Sequence, residues 1–113
     1  MPVLCSVVYV TVPDSKTADA ISGTLLEERM AACVNQVQGV RSDYWWEGKI
    51  EHSEEILLII KTRTALLKVL MDCVKKNHPY AVPEIISFPI AEGNPEYLDW
   101  IKFATTPAAP AKK

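Results

Sequence analysis

His78 is the residue in this chain best placed to bind a metal ion. It follows a predicted helix stop, is held by Pro79, and precedes Tyr80 and, beyond a second proline, Glu84. Imidazole is a ligand that suits copper and zinc. A tight site takes three or four ligands, so a lone histidine needs ligands from other copies of the chain. The sequence therefore predicts an exposed metal ligand at His78, with a helix-end cap that binds nothing as the alternative.

The other histidine, His52, lies in an acidic stretch beside Glu51, Glu54 and Glu55. Carboxylates of this kind suit hard cations. A histidine in an acidic stretch is nevertheless commonly a solvated surface residue, and we interpret His52 in that way.

The three cysteines, Cys5, Cys33 and Cys73, are widely spaced and form no CxxC motif. An odd set without export features is typical of reduced thiols in a cytosolic protein. Cys5 and Cys73 are interpreted as small core hydrophobes. Cys33 lies close to the polar Asn35 and near Arg29, so the sequence leaves it open between a core residue and a ligand.

Lys61 ends the apolar run 56–60 and faces the same way as alternate residues of that run. A lysine in this place extends to solvent, pairs with a carboxylate, or lines a cleft. Arg29 and Glu84 are candidates for the same region. A simple strand-end charge in water remains the alternative.

Trp45 and Trp46 point to opposite faces near the tip of a predicted hairpin. Two bulky aromatic residues that far from a core are best interpreted as interface anchors. Base stacking would require basic neighbours, which this hairpin lacks.

Several function classes are excluded by what the sequence lacks. It contains no GxSxG, Walker, HExxH or GxGxxG motif, and only four glycines, so we expect no enzyme activity. The net charge is −2 and the basic residues are scattered, which argues against a nucleic-acid partner and against an anionic membrane surface. No apolar run is long enough to cross a bilayer.

Hydrophobic periodicity and turn residues predict the order β-α-β-β-α-β followed by a third helix. The predicted strands are 3–12, 35–46, 50–62 and 84–90, with a bend at Gly39 and a tight turn at 47–49. The predicted helices run from Asp14 to about Met30, from a cap at Thr64 to Asn77, and from Asn94 through Ile101. This order is the α+β, ferredoxin-like plan. One domain is predicted over 1–103, with a flexible tail over 104–113.

The predicted sheet is apolar on both faces, although two helices can cover only one. Residues 56–60 are apolar in succession, and strands of this kind are buried on both sides. Association with further copies is the simplest cover for the second face. The alternative is that the third helix and the tail fold under the sheet.

The N-terminal segment has no basic region and turns polar at Pro13-Asp14. We therefore interpret this segment as a strand and not as a signal peptide. Together with the reduced thiols, this predicts a cytoplasmic location.

Four segments resemble one known family. In chain order they are EERMAACVNQVQGVRSDYWWEGKIE, EILLIIKTR, NHPYAVPEIISFPI and GNPEYLDWI. They are similar to the CutA divalent-cation tolerance family, and the likeness extends from the first strand to Ile101. The AACVN, WEGKI, IIKT and HPYxVPE blocks occur in the family's order, so the resemblance is specific.

The resemblance implies a tight homotrimer, similar in architecture to the PII signalling proteins, that binds divalent cations of the copper type and is not catalytic. It implies an inter-subunit cleft formed by Arg29, Cys33, Asn35, Trp46, Lys61, Tyr80 and Glu84, with His78 as the metal residue. In some bacterial members copper ligation is assigned to a first-strand cysteine and a histidine pair. The corresponding residues here are Val10 and Asn77-His78. The alternative function is a PII-like signalling or small-anion-binding regulator that uses the same cleft.

Overall fold

Four β-strands form a single sheet in a computed structural model, which describes residues 4–107. The strands are β1 (Cys5–Val12), β2 (Cys33–Trp46), β3 (Lys49–Arg63) and β4 (Ile85–Pro89). The helices are α1 (Ser15–Glu27), α2 (Leu67–Asn77) and α3 (Pro95–Ala104). The strand order in space is β2-β3-β1-β4, and every neighbouring pair is antiparallel. This topology confirms the predicted α+β, ferredoxin-like fold with an additional C-terminal helix. No helix in the described residues is long and apolar enough to span a membrane.

The main core lies between one face of the sheet and the helices α1 and α2. Because side chains alternate between the two faces of a strand, every second residue of β1 and β3 points into it. The buried sheet residues are Val8, Val10, Val12, Ile56, Leu58 and Ile60. They pack against Ile21 and Leu25 of α1 and Leu70 and Val74 of α2. Burial of these side chains stabilises the fold at roughly 25 cal/mol per Å² of apolar surface.

The opposite face of the sheet, which we call the open face, is also apolar at its centre. Tyr9 of β1 pairs with Ile59 of β3 and with Ile86 of β4, and its ring meets Phe88 edge-on with centroids 5.1 Å apart. In one copy of the chain Ile86 is 52% and Phe88 40% exposed. The predicted excess of apolar surface is therefore present on this face.

Helix α3 covers only one end of the open face. A small second core forms there from Cys5, Ala32 and Ile101. Arg63 at the end of β3 donates to the hydroxyl and to the carbonyl oxygen of Thr105, at 2.9 and 3.0 Å. The third helix therefore folds onto the sheet, as the alternative supposed, but it leaves the centre of the open face uncovered.

Strands β2 and β3 continue beyond the other strands as a two-stranded ribbon. Pairing of β3 with β1 stops at Ile56, whereas β2 and β3 remain paired to the turn. A register shift after Val37 and a φ of +72° at Gly39 mark the predicted bend as a bulge. Positive φ values at Glu47 and Gly48 give the two-residue turn that suits twisted hairpins. Trp45 is 73% exposed on this ribbon.

Several predicted boundaries need correction. Helix α1 ends at Glu27, before the predicted Met30, because Arg29 has a φ of +59° and the chain turns there. Thr64 does not cap α2; residues 64–66 form a 3-10 turn, and the Thr64 hydroxyl hydrogen-bonds that of Ser6 at 2.8 Å.

The predicted tail also begins too early. Helix α3 includes Ala104, and the buried Thr105 accepts the hydrogen bond from Arg63. Only residues 104–107 of the predicted tail are described, and 108–113 lie outside the described residues.

Candidate functional site

The residues predicted from the sequence divide into two groups at opposite ends of the open face. Cys33, Asn35 and Lys61 form one group, called here the lysine cluster. Trp46, Tyr80 and Glu84 line a cavity at the other end, called here the acidic cleft. One copy of the chain therefore does not bring all the predicted cleft residues together.

The lysine cluster is built on the pairing of β2 with β3. Cys33 lies opposite Lys61 in the register, and the Lys61 ammonium lies 3.9 Å from the Cys33 sulfur. The ammonium also donates to the Asn35 Oδ1. Within residues 4–107, no carboxylate forms an ion pair with Lys61. The cluster thus places a positive charge with only neutral partners at the edge of an apolar face.

Arg29 stands apart from both groups. Its guanidinium donates to the carbonyl oxygen of Ala104 at 3.1 Å. A positive charge at this end of α3 complements the negative end of the helix dipole. In one copy, Arg29 holds the third helix and does not line the acidic cleft.

His78 is not exposed as the sequence predicted: it is only 8% exposed. Its Nε2 lies 2.7 Å from the carbonyl oxygen of Thr11, which can only accept, so Nε2 carries the proton. Its Nδ1 accepts the backbone N–H of Tyr80 at 3.1 Å. Both ring nitrogens are therefore used within the chain, and His78 has no lone pair free for a metal. This geometry is that of a structural clamp on the segment that follows α2.

Tyr80 extends the clamp to β3. Its ring packs on that of His78 with centroids 4.7 Å apart, and its hydroxyl donates to Glu55 at 2.9 Å. Burial, followed by the hydrogen bond to Glu55, raises the pKa of Tyr80 to about 12. The phenol therefore stays neutral and remains a donor to a carboxylate that is only 7% exposed.

The acidic cleft has a volume of about 620 Å³. Its lining includes Arg41, Asp43, Tyr44, Trp46, Glu55, Tyr80 and Glu84. The sequence analysis missed Glu55 as a site residue. Its position two residues before Leu57 indicates the open face, because alternate strand residues share a face.

His52 has the geometry that His78 lacks. Its Nδ1 lies 2.6 Å from Asp43 Oδ1 across the ribbon, and because a carboxylate only accepts, Nδ1 carries the proton. Arg41 binds the same oxygen at 3.2 Å. The hydrogen bond from His52, followed by that from Arg41, lowers the pKa of Asp43. With Nδ1 donating to Asp43, the uncharged tautomer of this ring presents Nε2 as an acceptor, in the carboxylate–histidine arrangement common around metal ligands. No group of three or more metal-binding side chains occurs within residues 4–107.

Comparison with known proteins gives consistent matches. The family model described as CutA1 divalent ion tolerance protein matches residues 6–104. A rice protein named Protein CutA 1, chloroplastic, is 52% identical over 99 residues, which are 88% of this chain and 56% of the relative. The divalent-cation tolerance protein CutA of Thermus thermophilus is 51% identical over 96 residues, 85% of this chain and 93% of the relative. The chain therefore spans little more than half of the rice relative and nearly all of the bacterial one.

Solved structures match over most of the chain. The crystal structure of CutA1 from rice aligns with a TM-score of 0.89 at 50% identity, covering 94% of this chain and 97% of that one. The structure described as the periplasmic divalent cation tolerance protein CutA of Archaeoglobus fulgidus aligns with a TM-score of 0.88 at 40% identity, covering 91% and 100%.

These names correct the predicted cytoplasmic location. The rice relative is named chloroplastic and the Archaeoglobus protein periplasmic. Cellular location therefore varies among the proteins that this chain resembles. The pattern of unpaired cysteines in the sequence does not establish a cytoplasmic location.

Replacing Tyr80 by phenylalanine removes the donor to the buried Glu55 carboxylate. We expect a loss of about 1–3 kcal/mol in the free energy of unfolding near neutral pH. The folded state raises the phenol pKa to about 12 from 10.0, so this stabilisation is fully present below pH 10.0 and is lost as the pH rises through about 12. Thermal unfolding of both proteins should show their difference shrinking across that window.

Tyr44→Phe is the matched control, because the hydroxyl of the exposed Tyr44 bonds, within the described residues, only the hydroxyl of Ser53, at 2.7 Å, and no carboxylate. A wild-type advantage over Tyr80→Phe that stays constant up to pH 12 would contradict the assignment.

Proposed function

The chain belongs to the CutA1 divalent ion tolerance protein family, and we propose that it acts as a non-catalytic homotrimer that binds divalent cations of the copper type. The observation that carries the proposal is the family match over residues 6–104. The non-catalytic role is supported by the engagement of His78, whose two ring nitrogens are both hydrogen-bonded to the backbone. A histidine held in this way does not transfer protons to a substrate.

The uncovered centre of the open face supports assembly. Ile86, Phe88 and their neighbours are exposed in one copy, and large exposed apolar patches are typical of protein interfaces. The lysine cluster and the acidic cleft lie at opposite ends of this face. Two copies that place the lysine cluster of one against the acidic cleft of the other therefore pair opposite charges. Three copies is the number that the family resemblance implies.

Ile86→Lys places a charge at the centre of the open face, where a lysine is costly to bury. We expect the mass by light scattering to fall from about three chains to one chain of 12.6 kDa.

Leu26→Lys is the matched control for the Ile86 variant. Leu26 is a partly exposed residue of α1, on the helix side of the sheet, and its replacement should leave the mass unchanged. An Ile86→Lys protein that keeps the mass of three chains would refute assembly through the open face.

The cation contact that one chain offers is His52. Its Nε2 is an acceptor and its ring is oriented by Asp43, and imidazole nitrogen is a ligand that copper(II) favours. Since no three-ligand group occurs within residues 4–107, the remaining ligands come from water or from other copies. This arrangement gives weak cation binding that depends on assembly. Weak binding fits a role in metal tolerance better than the permanent binding of a metal cofactor.

Copper(II) titration distinguishes the two histidines. We expect His52→Gln to weaken copper binding by at least about tenfold, because it removes the nitrogen that is free. His78→Gln should leave copper affinity within a few fold while lowering thermal stability, because it breaks the clamp to Thr11 and Tyr80.

The mass of each sample is measured alongside, so that loss of assembly is not mistaken for loss of a ligand. Copper binding that is lost in His78→Gln at unchanged mass, and kept in His52→Gln, would reverse the assignment. A trimer that ignores copper would contradict the cation proposal itself.

A small-anion-binding regulator of the PII type is the second candidate. The favouring observation is Lys61, whose ammonium contacts only the Asn35 oxygen and the Cys33 sulfur in the part of the chain that the structure describes. An anion bound there would supply the missing negative charge.

We expect ATP, added with a chelator so that no metal takes part, to raise the thermal midpoint of the wild-type protein and not that of Lys61→Gln. Lys68→Gln serves as the control, because Lys68 pairs with Asp72 on the exposed side of α2. A shift that survives Lys61→Gln would remove this candidate.

A further inference from the structure

We propose that the clamp at His78 is an acid-sensitive switch, in which protonation of the ring releases the segment 78–84 from the sheet. This segment connects α2 to β4, and its residues Tyr80 and Glu84 form part of the wall of the acidic cleft. Control of the segment by protons goes beyond the cation binding of the proposed function and requires no metal. It depends only on contacts within one chain.

The two hydrogen bonds of the His78 ring require its neutral form. Nε2 donates to the carbonyl oxygen of Thr11 at 2.7 Å, and Nδ1 accepts the backbone N–H of Tyr80 at 3.1 Å. A neutral imidazole has one donor and one acceptor, whereas the imidazolium ion has two donors and no acceptor. A proton added to Nδ1 therefore removes the bond to Tyr80 and directs one N–H against another.

Burial prevents the protonated ring from finding a new partner in its present position. His78 is only 8% exposed, so the added N–H does not reach water while the segment stays in place. A buried charged group without a hydrogen-bond partner is costly, and no carboxylate within residues 4–107 forms an ion pair with His78. Movement of the segment away from β1 lets water hydrate both N–H groups.

The charged and titratable groups around the clamp come from every element next to it. They are Tyr9 of β1, Asp14 before α1, Tyr44 of β2, Glu55 of β3, Lys75 and Lys76 in the last turn of α2, and Tyr80 and Glu84 of the segment itself. Within the described residues none of these carboxylates accepts a hydrogen bond from the His78 ring. Glu55 instead accepts from the Tyr80 hydroxyl at 2.9 Å, so no carboxylate holds the imidazolium ion where the neutral ring lies.

Release of His78 also releases Tyr80. The two rings pack with centroids 4.7 Å apart, and the backbone N–H of Tyr80 loses its acceptor when the ring is protonated. Residues 78–84 form neither helix nor strand, so no regular backbone hydrogen bonding holds them once the clamp opens. Protonation of one ring therefore moves one wall of the acidic cleft, a local charge change with a larger structural result.

The other histidine of the chain provides a contrast. Imidazole is the side chain that gains a proton between about pH 5 and 8, and the chain has two of them. The side chain of His52 is 56% exposed, and its Nδ1 already donates to Asp43. Protonation of His52 adds an N–H at Nε2 and leaves the bond to Asp43 in place, so it requires no movement of the backbone.

The test follows the Tyr80 backbone amide by NMR between about pH 8 and 5, with a chelator present so that no metal takes part. The side-chain nitrogen signals of His78 report in the same samples when the ring gains its proton. We expect the protection of the Tyr80 amide against hydrogen exchange, corrected for the intrinsic effect of pH, to fall at least about tenfold as that happens.

Two variants assign the change to His78. His78→Asn keeps an acceptor near the position of Nδ1 that no proton removes, so its Tyr80 amide should be equally protected at both ends of the pH range. His52→Gln removes the other imidazole and should keep the full wild-type change, so the assignment does not depend on the folding of the His78 variant.

A Tyr80 amide that stays protected after the His78 ring has gained its proton overturns the proposal. A ring that stays neutral throughout the range overturns it as well, and so does a change that is lost in His52→Gln or kept in His78→Asn. Copper binding is measured separately at neutral pH, where the clamp is closed, so failure of the switch is distinguishable from failure of the proposed function.

Discussion

The structure depends on a central strand, β3, that is apolar on both faces. Ile56, Leu58 and Ile60 meet the helices, while Leu57 and Ile59 point to the open face. Because strand side chains have a period of two, no shift of register can bury one set without exposing the other. The same short run therefore specifies both the core of one chain and the need for a cover outside it. At roughly 25 cal/mol per Å² of apolar surface, covering this face would contribute a large stabilisation to the trimer proposed above.

The acidic cleft depends in turn on how the segment after α2 is fixed. This segment lacks regular structure up to β4, and its position is set by His78 binding Thr11 and by Tyr80 binding Glu55. These bonds tie an irregular segment to two central strands of the sheet. The cleft is therefore formed by rigid elements on one side and by a clamped segment on the other, which preserves its shape without secondary structure.

Much of the fold follows from the sequence because local rules govern it. Hydrophobic periodicity predicts the element order, and Gly39 predicts the bulge through its freedom at positive φ. The end of α1 was missed because Arg29, a residue with no preference for positive φ, takes the left-handed position there. The role of His78 was missed for a different reason. The residue type alone does not distinguish a metal-binding histidine from one that fixes the backbone. The contact that distinguishes them here is with the carbonyl oxygen of Thr11, which is 67 positions away in the chain.

The charges at the two ends of the open face have a different role from its apolar centre. Among residues 4–107, Lys61 has only neutral partners, and the carboxylate of Glu55 has only a phenol. Covering either group without a counter-charge therefore costs free energy. Apolar contact is not directional and would accept many alignments of two copies. Charged ends exclude most of these, because like ends repel and unmatched ends lose their hydration. In the proposed trimer, the centre of the face therefore supplies the free energy of association, and the lysine cluster and the acidic cleft select the alignment of the copies.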